Sequence, residues 1–333
     1  MTNAANQTLF LSGADVKSVL TWDAVVGALR DAYGLNFDDA MAPGRSTARG
    51  DRSWLRAMPA AHPDGKYIGA KLISVALAER SASYLIALFE QRSAELVGLI
   101  DGNDITAWRT AGTSAVAVQA LTQDQPLKVA FIGSGFEARA QLQALATVRS
   151  ISELKVFSPT VANRERFADS AAREHKLRAT SVASSREAVE GADLVIAAAR
   201  SHDETPTIEA GWLAPGATVV SIGSTLPEQR ELDIETLDRA GVIVADAVHE
   251  VAEETGDMLA AAEAGLKLDS KLKSLADIVG SESGFVRDPD SIAVYKSVGS
   301  GLQDIVLAEL CLTAAVSKGL GTTLVQSIVP ISK

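Results

Sequence analysis

The chain has 333 residues, a length that fits two compact domains better than one. Lysine and arginine total 31 against 42 aspartates and glutamates, a formal net charge of −11. This acidic balance argues against a nucleic-acid surface, which needs clustered positive charge, and against docking on anionic membranes. The single cysteine, Cys311, excludes an intramolecular disulfide framework and a site of several thiolates, and the four histidines show no metal-ligand spacing. We therefore predict no metal site.

The amino-terminal residues contain neither a positively charged start nor a long apolar core, so they do not resemble a signal peptide. No apolar run approaches the roughly 20 residues that cross a bilayer. The sequence therefore predicts a cytoplasmic protein whose partners are small molecules and not membranes or nucleic acids.

The first third of the chain predicts a small mixed domain. Apolar residues recur at helical spacing over residues 15–33, which predicts one helix. Residues 41–56 form a polar, basic stretch. Residues 67–75, 84–90 and 95–100 look like short strands split by polar turns, and strands without intervening helices predict an antiparallel sheet.

From about residue 116 the pattern alternates between strand and helix, which predicts a doubly wound parallel sheet. The acidic run at residues 250–257 is interpreted as a solvated helix without chemistry, and a strong helix from about residue 303 is expected to return to the first domain. The predicted domains are residues 1–117 with 304–333, and residues 118–303. The predicted strands are 127–132, 154–157, 194–198, 218–222 and 242–245, and the helices are 138–148, 164–175 and one beginning near Ser184, where Glu187 suggests a capping box.

The segment KVAFIGSGFEA, residues 128–138, carries the most informative motif. It reads as a strand followed by G-x-G-x-x-A, in which Gly133 permits a tight turn, Gly135 lets the backbone approach a pyrophosphate, and Ala138 lets the helix lie close to the strand. The pyrophosphate would lie at the helix N-terminus, beside Ser134 and Phe136. The motif predicts a Rossmann-type dinucleotide site.

The end of the second strand of this unit indicates which dinucleotide binds. NAD sites usually place an acidic side chain there, to bind the ribose 2′-hydroxyl. This chain has Ser158 and Thr160 instead, followed by Arg164. Hydroxyls and a guanidinium suit a 2′-phosphate, so NADP(H) is preferred, with NAD(H) possible.

The run DGNDITAWRTAGTSAVA, residues 101–117, resembles the D-G-x-x-[IL]-T-x-x-R-T-A-A-x-[ST] signature of the ornithine cyclodeaminase/mu-crystallin family. Three further segments agree in order: GAKLISV around Lys71, GSTLPEQREL at residues 223–232 and YKSVGSGLQD at residues 295–304. The resemblance implies a homodimer in which a Rossmann domain is inserted into an α+β substrate-binding and dimerisation domain. It also implies hydride transfer between nicotinamide and the α-carbon of an amino or imino acid.

The resemblance assigns a role to each of three cationic residues. Arg109 is implied to hold the substrate α-carboxylate, which the planar guanidinium fork binds through two parallel hydrogen bonds. Arg45 matches a second carboxylate contact. Lys71, the charged residue of an otherwise apolar strand, is implied to face the imine nitrogen, where it could donate a proton as hydride arrives.

Two positions depart from the cyclodeaminases. Where those enzymes and the family's alanine dehydrogenase carry an aspartate that assists deamination, this chain has Thr225, which cannot act as a carboxylate base. Where an ornithine cyclodeaminase places a glutamate facing the distal amine, this chain has Arg56, which would attract an anion. Arg56 either faces a second substrate carboxylate or points outward. Both departures favour an imine reductase over a cyclodeaminase.

The remaining site residues are assigned to the cofactor by the same resemblance. Gly223, Ser224 and Thr225 are expected near the ribose and nicotinamide, and Lys296, Val298 and Gly299 lie in the segment that lines the nicotinamide. The leading hypothesis is an NAD(P)H-dependent reductase of 2-imino acids or cyclic ketimine carboxylates. The alternatives are an ornithine or lysine cyclodeaminase, an alanine-type amino-acid dehydrogenase, and a non-enzymatic NADPH- and ligand-binding protein of the mu-crystallin type.

Overall fold

A computed structural model describes residues 7–199, 205–281, 284–324 and 328–331 of the chain. Within these ranges, none of the helices combines the length and apolar character that a membrane span requires. The strands, in chain order, are β1 Leu9–Leu11, β2 Ser46–Arg49, β3 Ser53–Ala61, β4 Tyr67–Ala76, β5 Ser81–Glu90, β6 Leu96–Asp101, β7 Leu127–Ile132, β8 Ile151–Phe157, β9 Arg178–Ser181, β10 Leu194–Ala197, β11 Thr218–Ser221, β12 Ala240–Ala245, β13 Leu272–Ser274, β14 Ile292–Lys296 and β15 Thr322–Thr323. The helices are α1 Gly13–Val19, α2 Trp22–Tyr33, α3 Asn103–Leu121, α4 Phe136–Val148, α5 Val161–His175, α6 Ser185–Val189, α7 Ile234–Arg239, α8 Val248–Glu254, α9 Gly256–Glu263, α10 Leu275–Val279 and α11 Gly301–Lys318.

The chain forms two compact units, one from residues 1–110 and 300–333 and one from residues 111–299. The first boundary falls inside α3, so the signature 101–117 contributes to both units. The sequence placed the boundaries at 117/118 and 303/304. The assignment of the discontinuous unit to substrate binding and dimerisation stays a prediction.

The discontinuous unit contains a seven-stranded sheet in the order β15-β1-β6-β5-β4-β3-β2. Strands β2 to β6 pair antiparallel, whereas β1 runs parallel to β6. Helix α11 packs on β3, β4 and β5 and against α2. The approach is close because Gly301 and Gly69 carry no side chain: a Cβ on Gly301 would lie 2.8 Å from the carbonyl oxygen of Met58, and one on Gly69 would lie 2.9 Å from Ile305.

One sequence prediction in this unit is wrong in detail, and one segment had no predicted secondary structure. The single helix over residues 15–33 is two helices, because the backbone is extended at Leu20 and Thr21 and the Thr21 hydroxyl accepts the Ala24 N–H as an N-cap. The polar stretch 41–56 contains β2 and the first part of β3, which form a hairpin. Each strand carries one of the four arginines of the stretch, Arg49 on β2 and Arg56 on β3.

The continuous unit contains an eight-stranded sheet in the order β13-β12-β14-β11-β10-β7-β8-β9, and every pairing is parallel. The strand order reverses between β7 and β10, the point where doubly wound sheets bind their ligands. The central strands are buried on both faces, which explains their continuous apolar runs. This architecture confirms the predicted fold class.

The interpretation of residues 250–257 as a solvated helix is wrong. These residues span α8 and the start of α9, and the side chains of Glu250 and Asp257 are both buried. Asp257 is fully enclosed, and its burial is compensated by an ion pair in which Lys296 Nζ lies 2.6 Å from Asp257 Oδ2. An acidic sequence run does not indicate exposure when a cation from a distant strand neutralises it.

Candidate functional site

Lys71 lies in the middle of β4 and is completely buried. Its register partners Met58 and Ile86 point to the same face of the sheet, the face on which α11 packs. From the first turn of α11, Asp304 places Oδ1 2.8 Å from Lys71 Nζ. Asp304 is also fully buried, so the pair forms an enclosed salt bridge between the sheet and the last helix.

Burial lowers the pKa of Lys71 to about 8, because the enclosed ammonium has lost its hydration. Asp304 opposes this shift, whereas the nearby cations Arg109 and Arg56 reinforce it. The second carboxylate oxygen of Asp304, Oδ2, is buried and accepts no hydrogen bond from a described residue. Lys71 is therefore an amine that can change protonation state near neutral pH.

Arg109 lies in α3 and is 7% exposed. Its Nη1 donates to Gln303 Oε1 at 2.9 Å, and its Nε lies 3.6 Å from Asp304 Oδ1. Gln303 in turn donates from Nε2 to the hydroxyl of the buried Tyr33 at 3.0 Å. Arg109 and Lys71 thus share one carboxylate, and Gln303 fixes the guanidinium from the other side.

Arg56 lies on β3, on the same face of the sheet as Lys71. It is half-buried, its Nε donates to Thr47 Oγ1 at 3.3 Å, and its guanidinium stacks 5.1 Å from the Trp54 ring centre. Its influence on the Lys71 pKa places it within electrostatic range of that lysine. A contact between Arg56 and a second substrate carboxylate stays a prediction.

Arg45 precedes β2 and is half-buried. Ser46 pairs with Ala57, so Arg45 lies one position beyond the ladder, level with Met58. Met58 in turn pairs with Lys71. The register therefore places Arg45 near the level of Lys71 along the sheet, although it lies outside the strand.

In the continuous unit, the turn after β7 has the shape that a dinucleotide requires. Gly133 adopts φ +115°, and a Cβ there would lie 2.6 Å from the carbonyl oxygen of Ala198. Gly135 is the N-cap of α4, with no capping side chain, and a Cβ on it would meet nothing within 4 Å. Space therefore remains beside the uncapped N–H groups of a thirteen-residue helix, which suits a pyrophosphate. Ala138 is fully buried and Phe136 is 69% exposed.

The carboxyl end of β8 adjoins this turn. Gly133 N–H donates to the carbonyl oxygen of Phe157 at 2.8 Å, and the hydroxyls of Ser134 and Ser158 are hydrogen-bonded at 2.7 Å. Arg164 donates from Nη1 to the carbonyl oxygen of Ser158 at 2.8 Å, and its guanidinium lies 5.5 Å from the Phe157 ring centre. Thr160 is the exposed N-cap of α5. The structure brings this predicted set together.

The turn after β11 contains Gly223, Ser224 and Thr225. Ser224 donates from Oγ to the carbonyl oxygen of Gln229 at 2.6 Å, and Thr225 N–H donates to Gln229 Oε1 at 3.1 Å. Gly223 N–H donates to Glu231 Oε2 at 2.8 Å. Hydrogen bonds from residues 223–225 to Gln229 and Glu231 therefore hold the two ends of this segment together.

The turn after β14 is held from β12. Asp246, at the end of β12, accepts the Val298 N–H on Oδ1 at 3.0 Å and the Gly299 N–H on Oδ2 at 2.9 Å. Gly299 has φ +82°, a conformation that favours glycine. Lys296 is fully buried, and its ammonium donates to Asp257 Oδ2 at 2.6 Å and to Ser221 Oγ at 2.9 Å. The Lys296 side chain is thus bound to partners inside the unit, whereas Val298 and Gly299 form the turn.

The sequence did not reveal the acidic and amide residues that hold the side chains around Lys71 and the turns of the continuous unit in place. Asp304 and Gln303 stood in the segment 295–304 that carried the resemblance, and Glu231 stood in the segment 223–232. A signal was present, since a carboxylate in the first turn of a strongly apolar helix is a candidate for a buried pair. These residues are Gln303 and Asp304 in the discontinuous unit, and Glu231, Asp246 and Asp257 in the continuous one.

Comparison with known proteins gives consistent matches. The ornithine cyclodeaminase/mu-crystallin family model matches residues 6–319. An uncharacterized cyclodeaminase of Sinorhizobium fredii is 30% identical and covers 67% of each chain. The ketimine reductase mu-crystallin of Rattus norvegicus is 29% identical over 78% of this chain and 80% of its own. The solved structure of Thermococcus litoralis Delta(1)-pyrroline-2-carboxylate reductase, in complex with NADH and L-proline, is 27% identical with a TM-score of 0.85, covering 95% of this chain and 100% of that one. The chain therefore belongs to the ornithine cyclodeaminase/mu-crystallin family.

Proposed function

We propose that the protein is an NAD(P)H-dependent oxidoreductase that reduces 2-imino acids or cyclic ketimine carboxylates to the corresponding amino acids. The observation that carries this proposal is the buried Lys71, whose electrostatic surroundings are Asp304, Arg109 and Arg56. Lys71 Nζ and Arg109 Nε lie 2.8 Å and 3.6 Å from Asp304 Oδ1, and Arg56 lies on the same face of the sheet as Lys71. A group of cations of this kind favours an anionic ligand, such as a substrate carboxylate.

The proposed roles follow from the chemistry of each group. Arg109 binds the α-carboxylate with its guanidinium fork, and Arg45 provides a second contact. Arg56 binds a second carboxylate when the substrate carries one. When bound, a reduced nicotinamide supplies the hydride that the imine carbon accepts. As the C=N electron pair moves to nitrogen, Lys71 gives that nitrogen the proton that completes the amine.

Asp304 keeps Lys71 charged before the reaction, since an enclosed ammonium without a counter-ion would lose its proton. After transfer, Lys71 is a neutral amine, and uptake of one proton from the bulk solvent restores its ammonium form.

The cofactor is proposed to bind at the turns after the strands of the continuous unit. The residues assigned to it are Gly133, Ser134, Gly135, Phe136, Ala138, Ser158, Thr160, Arg164, Gly223, Ser224, Val298 and Gly299. Lys296 supports this site through Asp257 and Ser221.

Thr225 supports reduction over deamination. Its backbone N–H and, at 3.4 Å, its hydroxyl both approach Gln229 Oε1, so the position offers a hydroxyl and an amide but no carboxylate base. Ammonia release from an amino acid needs a base that helps water attack the iminium carbon. We therefore propose Thr225 as a hydrogen-bonding residue of a reductase site.

The direct test measures NADPH and NADH oxidation at 340 nm with a substrate panel. The panel contains pyrroline-2-carboxylate, piperideine-2-carboxylate and iminosuccinate, and pyruvate or glyoxylate with ammonia or methylamine. Turnover of at least one imine is expected, and turnover of iminosuccinate would support a site that accepts a second carboxylate. Ammonia release from ornithine without turnover of any imine would contradict the proposal and support a cyclodeaminase. Tight NADPH binding without either reaction would support a binding protein.

NADP(H) is proposed as the preferred cofactor, because the tip of β8 offers Arg164 and hydroxyls. Arg164 is held near the site by Ser158 and Phe157 and forms no ion pair with any described residue. Replacing Arg164 with alanine is expected to raise the KM for NADPH about tenfold or more and to leave the KM for NADH nearly unchanged, because only NADPH carries the 2′-phosphate. Steady-state kinetics with both cofactors checks this. Arg166→Ala, an exposed arginine of the same helix, is the control. Equal losses for both cofactors would contradict a phosphate contact.

We also propose that the protein is a homodimer that uses the outer face of the seven-stranded sheet. This face, opposite the one packed against α11, carries Leu55, Ile68, Leu72, Leu85 and Leu99. Leu55 and Ile68 are 43% and 44% exposed, and a contiguous apolar sheet face is typical of a protein interface.

The variant Ile68→Arg tests the dimer proposal. The wild type is expected at twice the chain mass by size-exclusion chromatography with light scattering. Ile68→Arg is expected to shift the protein toward the monomer, because a charge would be buried unpaired in the interface. Leu77→Arg changes an equally apolar, exposed residue in the turn after β4 and should leave the mass unchanged. A dimeric Ile68→Arg variant would contradict the use of this face.

A further inference from the structure

Glu231 is a fully enclosed carboxyl group of the continuous unit that the proposed reaction leaves unused. Its side chain is fully buried, and its Oε2 accepts three hydrogen bonds from the turn that follows β11. The donors are Ser221 Oγ at 2.6 Å, Gly223 N–H at 2.8 Å and Ser224 N–H at 3.3 Å. A single oxygen thus fixes both the end of the strand and the backbone of the turn.

Gly223 shows how closely this turn is fitted. A Cβ at this position would collide with Glu231 Oε1, and it would lie 2.6 Å from the carbonyl oxygen of Ala199. The turn is therefore confined between Glu231 and the end of the neighbouring strand β10. Any change in the position of the Glu231 carboxyl group must move the Gly223 backbone.

A second layer fixes Glu231 itself. Asp257 Oδ1 accepts the backbone N–H groups of Glu231 at 2.9 Å and Leu232 at 3.1 Å. Lys296 donates to Asp257 Oδ2 and to Ser221 Oγ, and Ser221 and Lys296 are register partners on β11 and β14. The three buried ionisable side chains therefore form one network behind the turn.

The position of this turn in the sheet indicates which half of a dinucleotide it meets. A doubly wound sheet binds one mononucleotide on each side of the reversal in strand order. The glycine-rich turn after β7 serves the pyrophosphate, and β8 and β9 continue the adenosine half. Strands β10, β11 and β14 lie on the other side, which is the nicotinamide half.

We propose that Glu231 is a positioning residue for the nicotinamide half of the cofactor, acting through the backbone of the Gly223 turn. This inference rests on the proposed function, since it requires a nicotinamide dinucleotide. The carboxylate holds the turn by charge-assisted hydrogen bonds, which are stronger than those of a neutral acceptor. Loss of its charge loosens the turn and weakens cofactor binding.

The inference has a pH signature. Burial raises the pKa of Glu231 to about 7; Asp257 adds to this rise, whereas Lys296 and the hydrogen bonds from Ser221 and Gly223 oppose it. Among the described residues, the charged groups around the network are Lys296 from β14, Asp257 from α9 and Arg230, whose Nε lies 3.8 Å from Asp257 Oδ1. Because protonation removes the charge, cofactor binding should weaken as the pH falls through about 7.

The test compares Glu231→Gln and Glu231→Ala with the wild type by fluorescence titration with NADH and NADPH at pH 6 and pH 8, without imine. Glu231→Ala is expected to raise the Kd at pH 8 about tenfold or more, because three donors lose their acceptor. Glu231→Gln retains an acceptor oxygen without a charge, so its Kd should match the wild type at pH 6 and not change with pH. Glu228→Gln, an exposed glutamate of the same segment, should behave as the wild type.

Titration with 2′,5′-ADP separates positioning from general stability. This probe occupies only the adenosine half, so the Glu231 variants should bind it as the wild type does. Equal weakening for 2′,5′-ADP and NADPH would overturn the inference and indicate a structural role. Wild-type pH dependence in Glu231→Gln, or an unchanged Kd in Glu231→Ala, would also overturn it. A wild-type protein that binds neither dinucleotide would contradict the proposed function itself.

Discussion

Replacing Lys71 with methionine is expected to lower the kcat of imine reduction about 10³-fold, while the protein still binds NADPH. The methionine keeps the length and apolar stem of lysine but has no proton to give, and positioned acid catalysis contributes about 10²–10⁴-fold. Absorbance at 340 nm measures the turnover, and NADPH fluorescence measures binding. Lys66→Met removes an equal charge just before the same strand and should keep its activity, since Lys66 pairs with Glu309 at the half-exposed end of the hairpin.

Lys71→Met also leaves Asp304 buried without its partner, and breaking such a pair costs about 3–5 kcal/mol. The double variant Lys71→Met, Asp304→Asn removes both charges and is expected to regain part of the lost Tm but none of the turnover. Recovery of activity in the double variant would show that Lys71 has a structural role only.

The pH profile gives a second test of the same residue. Imine reduction requires the ammonium form of Lys71, whose pKa burial lowers to about 8. The wild-type kcat/KM should therefore be constant below that pH and fall about tenfold per pH unit above it. Lys71→Arg keeps its proton at every accessible pH, so whatever activity it retains should lack this basic limb. A wild-type profile that stays flat to pH 9.5 would contradict proton donation by Lys71.

Replacing Arg109 with lysine is expected to lower kcat/KM for the imino acid about 10²-fold, chiefly through the KM. The charge is retained, so the loss isolates the planar fork, whose two parallel hydrogen bonds to a carboxylate a lysine cannot reproduce. Each charge-assisted hydrogen bond contributes about 1.5–3 kcal/mol. Steady-state kinetics over a range of imino-acid concentrations separates the KM from the kcat.

A carboxamide analogue of the substrate makes this test specific. The amide lacks the negative charge, so the wild type should turn it over poorly, and Arg109→Lys should reduce that low rate little further. Arg30→Lys, at the surface beside Asp31, is the matched control. If Arg109→Lys lost the same factor with the acid and the amide, its role would be packing against Gln303 and not carboxylate binding.

The parts of the fold that could be predicted from the sequence are those specified locally. The strand before the glycine-rich turn was predicted with its observed bounds, Leu127–Ile132, because an apolar run interrupted only by Lys128 ends at a glycine. Lys71 was identified because a lone charge in an apolar strand needs a partner. The hairpin of β2 and β3 was not predicted, because the arginines of residues 45–56 are three or four positions apart and show no alternation that would indicate a strand.

The acidic partners could not be predicted in this way. Asp304 lies 233 positions from Lys71, and Asp257 lies 39 positions from Lys296. Each carboxylate alone resembles an ordinary solvated side chain, and only the tertiary contact shows that it neutralises a buried cation. The local sequence therefore indicated where cations would be needed but not which carboxylates would balance them.

The discontinuity of the first unit has a consequence for biosynthesis. The ribosome produces the sheet strands β1 to β6 first and α11 near the end, with the whole of residues 111–299 between them. Until α11 emerges, Lys71 has no counter-ion and the sheet face around it has no cover. The unit of residues 111–299 can complete its parallel sheet during translation, whereas the amino-terminal sheet must remain unfinished on the nascent chain. The apolar strands of the amino-terminal sheet therefore stay exposed on the nascent chain while residues 111–299 are synthesised.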